Sequence, residues 1–385
     1  MIPSAKIPYV QSAASQEVPP PYHFPGVTVN AFVWEAHLPR VQAYCDRFFN
    51  LGDPKDRGFA YGPAALWPYA LLLFIDYPVM ISSGRAPENI GHEVPYCDRG
   101  IVSQREVFVA LPVMRYGTAP GRLLSDSTLE WALPFIVVGE PMSAVCGREM
   151  LGLEKLRADI TIGEGTFPDS FKGSVSLPGW ASLESGVMQQ MLPFLDVATG
   201  PALPTFRGPP NETSLWTLFR SRTAGDVIDS LATASDFVDT ASAGMVPTAM
   251  QTVSLKQYRD AAEPDKALYQ ALVSCRSKYS SIENFQFYNE NDVEITFHAE
   301  GSFGETLRYV ELPPGRPSRE DSGRPNTFRP KAAYRFNANI DFDNMRTLHT
   351  FAVDRGPGLP PSAASSDLTA PWLRPWQGFF GPRRP

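Results

Sequence analysis

No apolar run in this chain is long enough to cross a bilayer. The greasiest stretch, residues 69–75, is closed by Pro68 and Asp76 and falls far short of the roughly 20 residues a helical span needs. It reads as a core strand. The opening residues, Met1-Ile2-Pro3-Ser4-Ala5-Lys6, hold no apolar segment of a secretory signal. A cytoplasmic protein without membrane contact is expected. Histidine is scarce: His23, His37, His92, His298 and His349 are the five, and no two lie within ten residues. A local histidine metal cluster is therefore not expected. The four cysteines (Cys45, Cys97, Cys146, Cys275) are scattered without a CxxC. They read as reduced thiols, not as a disulfide frame or a zinc site. There is no G-x-S-x-G elbow and no P-loop. Gly163-Glu164-Gly165 lacks the third glycine of a dinucleotide fingerprint, and His92-Glu93 lacks the second histidine of HExxH. No metal and no cofactor is expected. Positive charge is also short: 34 Lys and Arg against 41 Asp and Glu, a net charge of −7, where a nucleic-acid binder needs a basic face.

Proline, by contrast, is abundant at 38 of 385 residues, about twice its usual share of roughly 5%. Proline ends helices and is confined to the edges and turns of sheets. The composition thus favours short strands and many turns. Strand-like runs stand at 27–29, 32–34, 71–75, 105–113, 131–138, 158–162, 174–177, 250–255, 285–298 and 333–340, by β-branched and aromatic content or alternation. Helical spacing marks 38–49, 224–241 and 263–275, the last opened by Glu263-Pro264-Asp265. The expected class is α+β, mainly antiparallel β. Residues 1–20 read as an arm and 21–355 as a single domain, with inserted loops near 200–250 and at 312–331. Residues 356–385, with seven prolines and Trp372, Trp376, Phe379 and Phe380, read as a tail that packs back on the body.

The most informative stretch is Cys146-Gly147-Arg148-Glu149-Met150-Leu151-Gly152-Leu153-Glu154-Lys155. It follows the apolar run 132–138 and leads into the alternating run 157–162, so a buried segment delivers a short charged turn ending on a lysine. An amine drawn out of water loses some preference for its charged form, by up to about 3–5 pKa units when fully buried. A neutral amine can attack a ketone and form an imine. The protonated imine then accepts the electron pair of a neighbouring C–C or C–H bond. By itself the position is weak evidence, because a lysine beside a strand commonly snorkels to solvent.

Several short patterns fall in order around it. Gly147-Arg148-Glu149 precedes Lys155, Glu140-Pro141 stands upstream, Glu106 lies six residues before Pro112 in Leu111-Pro112-Val113, and Pro21-Tyr22-His23-Phe24 stands near the start. This series resembles the acetoacetate decarboxylase superfamily, most clearly over residues 100–160. The resemblance implies a curved, barrel-like sheet with a few packed helices and a pocket closed over Lys155. It implies Lys155 as the imine-forming lysine, an activated-nucleophile logic already established for acetoacetate decarboxylase, with Glu106 as acid/base or polar orienter. The expected activity is that of a carbon–carbon lyase in secondary metabolism. Its partner would be a small keto acid or polyketide-like ketone larger than acetoacetate, undergoing decarboxylation. Aldol or dehydration chemistry at the same lysine, or a non-catalytic binding scaffold, are the alternatives. A homo-oligomer is compatible with all of them. The sequence departs from the family in three places. Leu156 stands where a second lysine is expected, Glu154 where a proline is, and Pro25-Gly26-Val27-Thr28 where an arginine is.

Overall fold

Every second residue of an extended strand faces the same side, and most strands here are long enough to use both sides. The computed structural model describes residues 18–64, 69–82, 102–118, 127–166, 169–182, 184–203, 249–298 and 327–351. In chain order the elements are β1 (Tyr22–Glu35), α1 (Leu38–Phe48), α2 (Pro54–Arg57), β2 (Phe59–Pro63), β3 (Tyr69–Ser82), β4 (Val102–Gly117), β5 (Thr128–Val138) and α3 (Pro141–Glu149). Then come β6 (Leu156–Arg157), β7 (Asp159–Glu164), β8 (Phe171–Gly179), β9 (Gln190–Ala198), β10 (Ala249–Arg259) and β11 (Ala267–Tyr288). The last are β12 (Glu294–Phe297), β13 (Thr327–Phe328), β14 (Ala332–Phe342) and β15 (Arg346–Thr350).

The larger sheet runs β2-β4-β3-β1-β14-β11-β10-β5-β6, and an added β4–β5 pairing closes β4, β3, β1, β14, β11, β10 and β5 into a ring. Pairing is antiparallel except at β10–β5 and β5–β6, so the sheet is mixed. A second sheet, β13-β12-β9-β8-β7, is antiparallel throughout. The expected α+β class, mainly antiparallel β with few helices, is what the chain adopts.

The two faces of the ring strands bury separate clusters. One face, with Phe32, Leu72, Phe74, Val107, Val109 and Val137, packs on Phe171, Phe194 and Ile295 of the second sheet and on Val41 of α1. The other face, with Val29, Leu73, Ile75, Phe108, Ile136, Phe285, Phe336 and Ile340, draws on all seven ring strands. Residues Leu151 and Leu153, which follow α3, join this second cluster. Burying such side chains contributes roughly 1.5–3 kcal/mol each.

The helix expected over 38–49 forms as α1 and buries Val41, Tyr44 and Cys45. The helix expected over 263–275 does not form. Residues 267–275 belong to β11, paired antiparallel with β10 from Ala249↔Lys278 to Arg259↔Ala267. Residues 271–275 are all buried, and a continuously buried run has no period that separates strand from helix. Pro264 sits in the hairpin loop instead, where the Asp260 carboxylate accepts from the backbone N–H of Ala262 (2.7 Å) and Glu263 (3.2 Å). Residues Arg346–Thr350 form a further strand, β15. Cys45, Cys146 and Cys275 are buried and none is in a disulfide. Residues 1–17, Cys97, the helix expected over 224–241, the loops near 204–248 and 312–326, and the tail 356–385 lie outside the described residues.

Among the described residues, one fully buried carboxylate lies away from the lysine turn. Glu130 of β5 accepts hydrogen bonds from the Tyr61 hydroxyl (2.6 Å), Arg115 Nε (3.0 Å) and Gln251 Nε2 (3.1 Å). Burial pushes its carboxyl pKa up, and the Tyr61 and Arg115 contacts pull it only part of the way back. The folded protein therefore keeps this proton over a pH range in which the unfolded chain, at about 4.3, has released it. More protons on the native state mean that stability falls as pH rises through that range. Glu130→Gln removes this titration. In urea melts taken at stepped pH, the stability of the wild type relative to Glu130→Gln is expected to decline as pH rises above about 4.3. Parallel profiles for the two proteins would refute the assignment.

Candidate active site

Glu106 and Lys155 are 49 positions apart in the chain, and strand register brings them together. On β4, Glu106 pairs with Val138 of β5. The end of β5 pairs in parallel with β6, Val137 with Leu156 and Val138 with Arg157. Lys155 therefore enters immediately before β6, beside the strand end that Glu106 faces. Its Nζ donates a short hydrogen bond to Glu106 Oε2, and both side chains are 7% exposed. A second partner, Ser143 Oγ, lies 3.2 Å from the same Nζ.

Ser143 comes from α3. Proline at the first helical position costs no hydrogen bond, and an acceptor side chain just before it satisfies a free N–H. Glu140-Pro141 supplies both: the Glu140 carboxylate accepts from Met142 N–H at 3.1 Å, with Pro141 at the helix start. That dipeptide thus begins the helix. Positions three and four apart share a helix face, so Ser143, Cys146 and Gly147 turn together toward the lysine, and all three are buried.

Two glycines shape the turn. At Gly152 the backbone takes φ +63, and a Cβ there would meet Lys256 Cβ on β10 at 2.5 Å. This left-handed residue lets Leu153 N–H reach back to the Gly147 carbonyl at 2.9 Å. At Gly147 the constraint is space: an added Cβ would lie 2.5 Å from Lys155 Cδ, 2.8 Å from Cε and 2.9 Å from Cγ. The lysine stem runs across the face of α3 through the gap this glycine leaves. Arg148 donates to the Lys155 carbonyl at 3.4 Å, and the Glu149 carbonyl accepts from the Tyr258 hydroxyl. Both residues of this pair hold the turn. Glu154 is exposed and borders an outer groove, not the space around the amine.

The amine opens on a cavity of about 60 Å³, room for about four or five waters. Its wall is aromatic and aliphatic, with Tyr22, Phe24, Tyr77, Phe108, Tyr279, Leu133, Ile136 and Phe342. Among the described lining residues, Lys155 and Glu106 are the charged ones. Burial, and then the Glu106 charge, push the Tyr77 and Tyr279 phenols upward, so both hydroxyls keep their protons at neutral pH. Gln104, two residues before Glu106 on β4, lines the cavity beside Tyr77, its cross-strand partner.

The residues Glu106 and Lys155 singled out from sequence are thus in contact. Tyr22 and Phe24 of the Pro21-Tyr22-His23-Phe24 segment alternate into the cavity, while His23 turns outward to Asp341 (2.7 Å). Sequence reasoning missed Gln104, Tyr77, Ser143 and Tyr279. Only Ser143 carried a signal, four residues before Gly147 in a segment that starts like a helix. No group of His, Cys, Asp and Glu among the described residues is arranged to hold a metal, and no described helix is long and apolar enough to cross a membrane.

In fold the chain is similar to acetoacetate decarboxylases. The enzyme from Legionella pneumophila subsp. pneumophila str. Philadelphia 1 aligns with a TM-score of 0.49 and 10% identity, over 90% of this chain and 94% of its own. A second acetoacetate decarboxylase gives 0.48 and 9%, over 88% and 93%. The enduracididine biosynthesis enzyme MppR, solved with the condensation product of pyruvate and imidazole 4-carboxaldehyde, gives 0.46 and 14%, over 87% and 92%. No family model matches the chain, and no curated protein does.

Proposed function

We propose that the protein is a lyase that forms a Schiff base with a ketone through Lys155. The observation that carries this reading is the buried Lys155–Glu106 pair, facing a mainly apolar cavity with Ser143 as second partner. An ion pair of this kind stores a proton path as well as a charge. Passing one proton along the existing hydrogen bond leaves a neutral amine and a neutral carboxylic acid. The Nζ lone pair then attacks the carbonyl carbon, and the π pair moves to oxygen. That oxygen leaves as water after gaining two protons, one from the attacking nitrogen and one from the acid. The nitrogen remains as a protonated imine. The electron pair of an adjacent C–C or C–H bond flows into it to give an enamine, and reprotonation at carbon with hydrolysis releases the product. Glu106 is the group placed to carry protons in these steps, and Ser143 orients the amine.

Loss of CO2 from a β-keto acid and aldol or dehydration chemistry share this intermediate. The cavity volume suits a compact ketone or keto acid better than a long polyketide chain. Its apolar wall favours the second pair of reactions, since a substrate carboxylate would meet there no described cation other than the reacting lysine. The test is chemical. In D2O, a ketone held as a protonated imine exchanges its α hydrogens, and NMR follows the exchange. The wild type is expected to accelerate exchange of small methyl ketones above the buffer rate. Release of CO2 or of an aldehyde then distinguishes the reactions. A protein that leaves the exchange rate of every ketone unchanged would overturn the proposal.

A further inference from the structure

Gln104 is 6% exposed, and its Oε1 is buried without a hydrogen-bond partner among the described residues. A buried acceptor left unpaired costs about 1–3 kcal/mol, so its presence calls for an explanation. The other such atoms belong to Trp34, Arg57 and Trp131, none of which lines the cavity. Gln104 does, on the same strand face as Glu106 and directly across from Tyr77. An amide and a phenol thus stand together on a mainly aromatic and aliphatic wall whose other uncharged polar groups include Ser143, Thr252 and Ser277.

Position sets what that spot can touch. Residues two apart on a strand are separated by about 7 Å. Gln and Glu side chains have equal reach, so the Gln104 amide stands about that far from the carboxylate that holds the amine. A carbonyl carbon bonded to Lys155 Nζ leaves a gap that a hydroxyl three or so bonds away fills. We infer that Gln104 is the specificity residue of this cavity and accepts a hydrogen bond from a hydroxyl on the substrate, carried on the carbon β to the carbonyl that Lys155 attacks. The substrate class is a compact, uncharged β-hydroxy ketone. This rests on the Schiff-base reading for the placement of the carbonyl. The hydroxyl preference itself is a binding property and is measured without it.

The probes are 4-hydroxy-2-butanone and 2-pentanone, which differ only by a hydroxyl in place of a methyl. Ligand-observed NMR titration gives the half-saturating concentration of each for the wild type and for Gln104→Leu. A buried neutral hydrogen bond that also relieves an unpaired acceptor predicts about tenfold tighter binding of the hydroxy ketone to the wild type. In Gln104→Leu the preference is expected to vanish or reverse, with 2-pentanone bound at least as well as before. A preference that survives Gln104→Leu, or a wild type that shows none or binds neither probe, overturns the inference. Gln104→Glu, which keeps the shape and an acceptor, guards against a folding artefact and is expected to retain the preference. If the preference holds and neither ketone exchanges its α hydrogens, Gln104 stands and the imine reading fails.

Discussion

Lys155→Met is expected to reduce α-hydrogen exchange of methyl ketones to the rate in buffer. Methionine keeps the length of the lysine stem and its packing across Gly147, and removes only the amine. No other described lysine lines the cavity, and Leu156, the next residue, is exposed and apolar, so no neighbouring amine takes over. The substitution has a second consequence. It strands the Glu106 carboxylate in a buried site, and leaving one member of a buried pair alone costs on the order of 3–5 kcal/mol. Lys155→Met should therefore melt lower than the wild type. The double variant Lys155→Met/Glu106→Leu, which removes the stranded charge, should recover most of that loss and still be inactive. Exchange that persists in a folded Lys155→Met protein would show that the amine is not the reacting group.

Gly147→Val is expected to reduce exchange on the order of 10³-fold without touching any reacting atom. A misplacement of about 1 Å at a reacting centre can cost about 10²-fold, and a branched side chain moves the lysine further than that. Even a bare Cβ at Gly147 would stand 2.5 Å from Lys155 Cδ, closer than carbon atoms approach. The stem has to leave its path, and Nζ leaves Glu106 and Ser143 with it. Gly147→Ala should fall between the wild type and valine. Equal activity in all three proteins, measured by the same exchange assay, would show that the lysine reaches its place by another route.

These two residues also show how much was legible in the sequence. Lys155 and Glu106 stood out through a resemblance, in the spacing of Gly147-Arg148-Glu149 to Lys155 and of Glu106 to Leu111-Pro112-Val113; the apolar strand leading into a charged turn was weak evidence by itself. Their contact was not legible, since it depends on the β4–β5 and β5–β6 registers, and register is a property of paired strands. Gly147 was visible only as one letter of a pattern; its reason, the passage of a side chain from eight residues further on, needs coordinates. Glu154, which stands where the resemblance expects a proline, is exposed and turned from the amine, because adjacent residues in an extended segment point to opposite sides. Gln104 carried no signal, since one glutamine in a strand resembles any other until its oxygen is found buried without a partner among the described residues. The strand read as a helix at 267–275 failed for a related reason: residues 271–275 are buried on both faces, so the alternation that marks a strand was missing there.

The most direct test of the account is covalent capture. The protein is incubated with a methyl ketone and borohydride, which reduces an imine to a stable secondary amine, and the modified peptide is mapped by mass spectrometry. The account predicts a single adduct on Lys155, carrying the mass of the reduced ketone, that is absent from Lys155→Met and strongly diminished in Gly147→Val. An unmodified Lys155, or adducts spread over surface lysines and unchanged in Lys155→Met, would contradict it.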